Sequence, residues 1–399
     1  MQKTLLELAI GIVLVAMTGP ANATSWQMQT STSVTITQIE PLLDSTIYPT
    51  GFNDTGQVIG YMQFADGGGH GFVWDAINGM TDLSTAGSNY SSAFAINNAG
   101  QVAGYYFLPD NSSSHGYVWD AVNGMTDLGT LGGSSSLAAV INNSGLVGGD
   151  STITGDSGYH AFIWQAAAGM TDLGTLGGTT SSVYGINDLG QVVGVSGLTG
   201  DNEAHAFLWD AANGMTDLGT LGDSYSNSFA YDINDAGQVV GRSSLPNNGL
   251  MHAFLWDGET GMTNLGTMGG TWTEAMGINN SGQVVGYSTL LDNEATHPYV
   301  WENGIMYDLN DFITTLSIGD FLTGQGYLGS AWINNLSQIL VQSDLGYCYI
   351  MTPGSAVPEP ASMLLMATGL IGLIGRHRKS CGTDASKNSK IPGLRSFFQ

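Results

Sequence analysis

The sequence predicts an all-β fold: a seven-bladed β-propeller built from four-stranded repeats of about 45 residues. Three observations predict it. A tryptophan-containing segment recurs at a nearly constant spacing, an Asn/Gly module recurs at the same period, and an isolated strand near the N-terminus supplies what the last repeat lacks. A β-solenoid has shorter coils than this unit, and a separate unit this small could not bury its own aromatic residues.

The first module has the form His-x-aromatic-aliphatic-Trp and occurs six times, with successive Trp residues 45, 45, 45, 47 and 45 positions apart. Strand alternation places His205, Phe207 and Trp209 on one face and Ala206 and Leu208 on the other. Both faces are therefore partly apolar, as expected of a sheet packed between two neighbours. The repeated residues, which we interpret as structural, are His70, His115, His160, His205, His252 and His297, with Trp74, Trp119, Trp164, Trp209, Trp256 and Trp301.

The second module, Ile-Asn-x-x-Gly-Gln-Val-Val-Gly in its consensus form, occurs seven times. Its Asn residues are Asn53, Asn97, Asn142, Asn187, Asn234, Asn279 and Asn334. We interpret it as a hairpin turn between the first and second strands, because Asn and Gly adopt left-handed backbone angles at little cost. The turns resemble fragments of calcium loops but lack the spacing and terminal Glu of an EF-hand. No cofactor is therefore expected, with calcium kept as an alternative.

Each unit reads as four short strands, which in the unit around Trp209 are predicted at 183–186, 191–195, 205–209 and 215–220. The last unit has three, near 331–334, 338–342 and 346–351, and no fourth. Residues 35–42 stand alone before the first unit and align with residues 214–221. We therefore predict that the N-terminal strand completes the last blade, which removes the exposed edges of an open array.

The N-terminus predicts a cleavable export signal over residues 1–23. Lys3 precedes an apolar run over residues 8–17, and Ala21-Asn22-Ala23 has the small-residue pattern of a cleavage site. Signal peptidase is the expected partner, and the propeller is predicted over residues 24–352.

The C-terminus predicts a second sorting signal. Residues 353–362 form a linker containing Val357, Pro358, Glu359 and Pro360, and an apolar segment with a basic cluster follows at 363–379. A basic end stays in the cytoplasm, which predicts a transmembrane segment in the inner membrane before sorting. These residues resemble the PEP-CTERM signal, and the resemblance implies recognition and cleavage by an exosortase. The chain departs from that pattern by continuing through residues 380–399, predicted to be a disordered tail.

Charge is divided unevenly along the chain. Between Thr24 and Ala356 there are 30 Asp and Glu residues, and Arg242 is the only Lys or Arg. Such a body repels phosphate backbones, which excludes nucleic acid as an expected partner. It favours solubility and attraction to cations or basic surfaces.

The repeats resemble the HAF family of extracellular repeats, named for the His-Ala-Phe present at residues 160–162, 205–207 and 252–254. The resemblance implies an extracellular setting and no defined activity. Four copies also carry a Trp-Asp pair, similar to WD-repeat propellers, where a His and that pair stabilise each blade.

The six repeated His residues are not expected to bind a metal, because equivalent positions on radial blades do not converge on one point. One hydrogen bond per blade is expected instead. The candidate partners on the fourth strand are Asp82, Asp127, Asp172, Asp217, Asn264 and Asp308.

A ligand site is expected where the copies differ. The loops between second and third strands vary most and carry Asp201, Glu203, Asp292 and Glu294, with aromatic residues at 105–107. Arg242 also departs from the repeat. This loop face is the predicted ligand face, with a solvated rim as the alternative interpretation.

The predicted function is that of an exported cell-surface or extracellular-matrix protein, a non-enzymatic binding or structural propeller that interacts with exopolysaccharide. No G-x-S-x-G, H-E-x-x-H or P-loop motif is present, so no catalytic residue is assigned. The alternative is a secreted glycan-acting enzyme, a hydrolase or lyase, that uses the acidic loop face. The regularity of the copies favours binding over catalysis.

Overall fold

The computed structural model describes residues 35–38, 45–65, 67–83, 88, 90–109, 112–222, 226–246, 250–291, 293, 295–312, 331–342 and 348–352. The chain divides into two units, and every described residue belongs to the first, Met1–Gly354. The predicted export signal, sorting motif, membrane segment and tail lie outside the described residues. Within the described ranges, no helix is long and apolar enough to cross a membrane.

The described strands form seven four-stranded antiparallel sheets, which confirms the predicted propeller. The chain begins with β1 (Thr35–Gln38). Blade 1 contains β2 (Thr46–Phe52), β3 (Val58–Gln63), β4 (Gly69–Asp75) and β5 (Gly79–Asp82). Blade 2 contains β6 (Ser91–Ile96), β7 (Val102–Phe107), β8 (Ser114–Asp120) and β9 (Gly124–Asp127). Blade 3 contains β10 (Gly132–Ile141), β11 (Val147–Ile153), β12 (Tyr159–Gln165) and β13 (Gly169–Gly174).

The next three blades follow the same order. Blade 4 contains β14 (Gly177–Ile186), β15 (Val192–Leu198), β16 (Ala204–Asp210) and β17 (Gly214–Asp217). Blade 5 contains β18 (Ser228–Ile233), β19 (Val239–Ser244), β20 (Met251–Asp257) and β21 (Gly261–Gly266). Blade 6 contains β22 (Gly269–Ile278), β23 (Val284–Leu290), β24 (Thr296–Glu302) and β25 (Ile305–Asp308), followed by a 3₁₀ helix, Leu309–Phe312.

Blade 7 joins the two ends of the propeller. Its strands are β26 (Trp332–Ile333), β27 (Ile339–Gln342), β28 (Cys348–Thr352) and β1, in that spatial order. β1 runs antiparallel to β28, with Thr35 opposite Thr352 and Gln38 opposite Tyr349. The N-terminal strand therefore completes the last blade, as the sequence predicts.

The first strand of blade 4 is longer than predicted, and the first strands of blades 3 and 6 have the same length of 10 residues. In blade 4 the strand begins at Gly177, not at residue 183, because the connector from the preceding blade already pairs there with Leu198. Gly177 has a φ of 110°, a backbone conformation that L side chains rarely adopt. The connector can thus enter the sheet directly.

The core lies between successive blades. The ring of Phe207 on β16 is fully buried and packs with Ala161 and Val183, from the third strand of blade 3 and the first strand of its own blade. Gly194 on β15 leaves the room for this ring, since a Cβ there would lie 3.0 Å from the Phe207 ring and 1.9 Å from the Ser182 carbonyl oxygen. The glycine of the Gln-Val-Val-Gly module is therefore a packing requirement.

Candidate functional site

The repeated His residues each bond to the fourth strand of their own blade. Nδ1 lies 2.6–3.2 Å from a carboxylate or amide oxygen, as the sequence predicts. The pairs are His70–Asp82, His115–Asp127, His160–Asp172, His205–Asp217, His252–Asn264 and His297–Asp308. They sit in six different blades. In the described part of the chain, no group of three or more His, Cys, Asp or Glu residues could hold a metal ion.

The repeated Trp residues are the last but one of each third strand, where they lie opposite a Met of the fourth strand. Trp209, for example, lies with Met215 against the core cluster shared by blades 3 and 4. These positions contribute to packing between blades.

The seven Asn residues of the hairpin turns form a closed ring of hydrogen bonds around the propeller axis. The Nδ2 group of each donates to the backbone carbonyl of the corresponding Asn in the next blade, at 2.9–3.3 Å, and Asn334 closes the ring onto Asn53. Each Oδ1 accepts backbone N–H groups of its own turn; Asn187, for example, accepts from Leu189 and Gln191. Sequence reasoning assigned these residues to turns only and missed the ring. The available signal was Asn at this one position in all seven copies.

A second ring lies beside the first. The backbone N–H of the residue after each Asn donates to the side-chain oxygen of its counterpart in the next blade, at 2.8–3.0 Å. Its members are Asp54, Asn98, Asn143, Asp188, Asp235, Asn280 and Asn335. Both rings line a cavity of about 180 Å³, together with Phe52 and a collar of Ile residues that includes Ile186 and Ile233. These polar groups bond to one another from blade to blade, so the hairpin turns at this end of the channel hold the blades together in a closed ring.

Away from the hairpin turns, the blades differ in the residue types that their first strands carry. The first strand of each of blades 1 to 6 has an irregularity in register two residues before the collar, and a bulge redirects the side chain of its extra residue. The bulge residues are Thr50, Phe94, Ala139, Tyr184, Tyr231 and Met276. All six are at least partly exposed and lie on the first strand of their blade, the strand that also carries the Ile collar.

A second variable position is the residue after the Gly of each second strand. It is occupied by Tyr61, Tyr105, Asp150, Val195, Arg242 and Tyr287 in blades 1 to 6. Three of these side chains reach toward the next blade: Tyr61 lies near Tyr90, Asp150 bonds to Val183, and Arg242 pairs with Glu274. We call the bulge residues, these variable residues and their contacts the channel wall.

Blades 1 and 2 form the aromatic half of the channel wall. The rings of Tyr48 and Tyr61 stack with centroids 4.6 Å apart and an interplanar angle of 13°. Tyr90 lies 6.3 Å from Tyr61 and 6.0 Å from Tyr105, and Phe107 lies 5.7 Å from Tyr90. All five rings remain partly exposed. Burial raises the pKa of Tyr61 and of Tyr105, so both phenols stay neutral at physiological pH.

Blades 3 to 6 form the charged half. Arg242 Nη1 lies 3.2 Å from Glu274 Oε2, and the guanidinium sits over the rings of Phe229 and Tyr231, 5.0 and 5.8 Å from their centroids. Burial raises the pKa of Glu274, although the Arg242 charge opposes this effect. Arg242 and Glu274 thus form an ion pair between blades 5 and 6.

Asp150 lies on the same half and is partly buried. Its Oδ1 accepts the Val183 backbone N–H at 2.9 Å. Burial raises the pKa of Asp150 to about 7, against the opposing hydrogen bonds from Val183 and Ser182. This carboxyl is therefore a titrating group in the neutral range.

The described residues of the predicted ligand face do not form one site: Asp201, Glu203 and Arg242 each have different contacts. Asp201 adopts a φ of 54°, and its Oδ1 accepts the Thr179 N–H at 2.7 Å, so it links its loop to β14 of the same blade. Glu203 lies 3.9 Å from His205 Nε2. Arg242 lies within the channel wall. Asp292 and Glu294 are outside the described residues.

The fold and the axial channel define this chain as a seven-bladed β-propeller. Residues 356–379 match the PEP-CTERM protein-sorting motif, which is the recognition signal for exosortase, so the chain is an exported, exosortase-sorted protein. Residues 178–325 match the family described as protein of unknown function DUF3466. HAF repeats are not identified by these comparisons. No curated protein sequence matches the chain.

Solved structures share the propeller fold at low identity. A Mycobacterium tuberculosis puromycin-hydrolyzing peptidase is 10% identical with a TM-score of 0.50, covering 79% of this chain and 55% of that one. The WD40 propeller domain of Doa1 is 16% identical with a TM-score of 0.44, covering 79% and 95%. TolB from Acinetobacter baumannii is 12% identical with a TM-score of 0.42, covering 75% and 80%. These likenesses concern the fold alone.

Proposed function

We propose that this exported propeller is a non-enzymatic polysaccharide-binding protein of the cell surface or extracellular matrix. The observation that carries the proposal is the aromatic half of the channel wall, five partly exposed rings in mutual contact on blades 1 and 2. In this proposal signal peptidase cleaves after Ala23, the segment 363–379 spans the inner membrane transiently, and the repeats are of the HAF type.

The chemistry of the rings suits a sugar. Tyr combines an apolar face, on which the C–H groups of a pyranose can pack, with a hydroxyl that hydrogen-bonds. Rigid aromatic side chains lose little conformational entropy when they bind. Burial raises the pKa of Tyr61 and of Tyr105, so these two phenols bring no negative charge to the contact.

Binding of the full-length protein to purified polysaccharides, with and without calcium, tests the proposal. The double variant Tyr61→Ala/Tyr105→Ala should weaken binding at least tenfold, since two stacking surfaces are lost. The matched control is Tyr159→Ala, which removes an exposed Tyr, 45% accessible, outside the aromatic half. Equal losses in both variants, or no polymer bound by the wild type, would contradict the proposal.

A glycan-acting hydrolase or lyase is the second candidate. Asp150 favours it, because a carboxyl with a pKa near 7 is suited to general acid–base catalysis at neutral pH. Incubation with a bound polymer discriminates between the two: the binding proposal requires unchanged chain length. Shortening that is abolished by Asp150→Asn would replace it with the enzymatic function.

A further inference from the structure

Arg242 stands out by its charge and by its position. It is the only Lys or Arg between Thr24 and Ala356, against 30 acidic residues. Its side chain is 30% exposed and is held by Glu274 and by the faces of Phe229 and Tyr231. Cation–π contacts and an ion pair fix the group in one place on the channel wall.

The ion pair leaves part of the guanidinium unused. Arginine has five N–H donors in a planar fork. The structure shows one hydrogen bond, from Nη1 to Glu274 Oε2 at 3.2 Å. Nε has no acceptor among the described residues but is buried, so the donors open to a ligand on this partly exposed side chain are those of the Nη groups. A carboxylate is the ligand group whose geometry matches such a fork.

Tyr184 supplies an adjoining surface. It is the bulge residue of blade 4, it is 40% exposed, and its ring lies 5.7 Å from that of Tyr231. Arg242 can contact an anion, and the exposed ring of Tyr184 offers a stacking surface in the same part of the channel wall.

We propose that the charged half of the channel wall binds the carboxylate of an acidic polysaccharide, a polymer that contains uronic acid units. Arg242 contacts the carboxylate, and Tyr184 packs against the sugar ring. This inference rests on the proposed function and specifies its substrate class. Glu274 holds Arg242 in place and competes with the ligand carboxylate, so a single contact at this site is weak.

The net charge of the protein gives the interaction a recognisable salt dependence. The chain carries a formal charge of −25 and repels a polyanion at long range. Salt screens this repulsion, because the Debye length falls from about 30 Å at 0.01 M to about 8 Å at 0.15 M. A contact with a partly buried Arg is screened less. Binding of the acidic polymer should therefore strengthen between these two salt concentrations, whereas a neutral polymer should show no such change.

The experiment compares polygalacturonate with its carboxyl-reduced counterpart, a matched pair that differs only in the carboxylate. At 0.15 M salt, the full-length wild-type protein should bind polygalacturonate about tenfold more tightly than it binds the carboxyl-reduced polymer. Arg242→Gln should reduce the ratio of the two affinities to about one. Glu274→Gln should raise the ratio, because the competing carboxylate is gone. Ala212→Asp, on an exposed turn, lowers the net charge by the same one unit as Arg242→Gln and should leave the ratio unchanged.

Each result has a defined meaning. If the wild type binds neither polymer, the assignment of the acidic ligand is overturned, and the proposed function is decided separately by the other purified polysaccharides. If it binds both polymers equally, or if Arg242→Gln keeps the preference, binding exists and the assignment of the acidic ligand is overturned. A thermal melt checks that Arg242→Gln is folded. Should it be unfolded, Glu274→Gln decides, because an unchanged or lower ratio contradicts the assignment.

Discussion

Asn334 donates an Nδ2–H to the backbone carbonyl of Asn53, 3.3 Å away and 281 residues distant in sequence. This bond closes the inner ring between blade 7 and blade 1. On the outside of the same blade, β1 pairs with β28. The propeller is thus closed twice, at its axis by side chains and at its rim by main-chain pairing.

The inner ring should contribute strongly to stability. Asn187→Ala removes a buried side chain, 4% exposed, that donates to the Asn234 carbonyl and accepts two backbone N–H groups. Because buried polar groups lose their partners, we expect the free energy of unfolding to fall by about 2–4 kcal/mol. Asn213→Ala is the control, since the exposed Asn213 bonds only within its own turn, to Asp210, and should change stability by less than about 1 kcal/mol. Chemical denaturation measures both. Similar values for the two variants would mean that the ring is energetically unimportant.

In the His–Asp pairs, replacing Asp by Asn should leave stability almost unchanged, whereas replacing it by Ala should lower stability. Blade 5 already uses Asn264 opposite His252, at 3.2 Å. Asp217→Asn should therefore be nearly neutral, whereas Asp217→Ala loses the bonds to His205 and to the Gly219 N–H. Since Asp217 is 40% exposed, the expected cost of the Ala variant is only about 1 kcal/mol. A larger loss in the Asn variant would show that the carboxylate charge itself is required.

Asp150 should make stability depend on pH. Burial raises its pKa from the ordinary 3.8 to about 7, so the folded protein binds a proton more tightly than the unfolded chain does. Its contribution is fully present below about pH 4 and is lost as the pH rises through 7. Asp150→Asn should therefore melt at a higher temperature than wild type at pH 8, and this advantage should disappear near pH 4.

Asp156 is the control, because its pKa is shifted in the opposite direction from that of Asp150. The hydrogen bond from the Ser134 N–H lowers the pKa of this exposed carboxyl. Its contribution to stability is present above the ordinary pKa and is lost as the pH falls, so Asp156→Asn should gain nothing at pH 8. An Asp150→Asn variant that behaves like Asp156→Asn across this range would show that burial does not raise the pKa of Asp150.

The architecture was predictable from the sequence because each blade is built by local rules. The 45-residue period, the strand alternation around Trp209 and the turn chemistry of Asn and Gly all lie within single repeats. Even the closure could be predicted, since the last unit lacks a strand that residues 35–38 supply.

The site was less predictable because it depends on contacts between blades. Arg242 was recognisable as a departure from the repeat, but its partner Glu274 lies 32 residues away on the next blade. The bulges that redirect Tyr184 and Tyr231 leave no signature in composition. Asp201 was chosen as a ligand residue for its charge, and its bond to the Thr179 N–H arises from a loop conformation that the sequence does not reveal.

The most direct test of the account is a disulfide between the first and last described strands. Thr35 and Thr352 are opposite one another, at a separation that a disulfide can bridge. In a Cys348→Ser/Cys381→Ser background, Thr35→Cys/Thr352→Cys should form an intramolecular crosslink and raise the melting temperature above that of the reduced protein. The control pair, Thr35→Cys/Thr126→Cys, joins blade 7 to blade 2 and should remain uncrosslinked. Absence of the first crosslink, or its formation only between two chains, would contradict the closed ring.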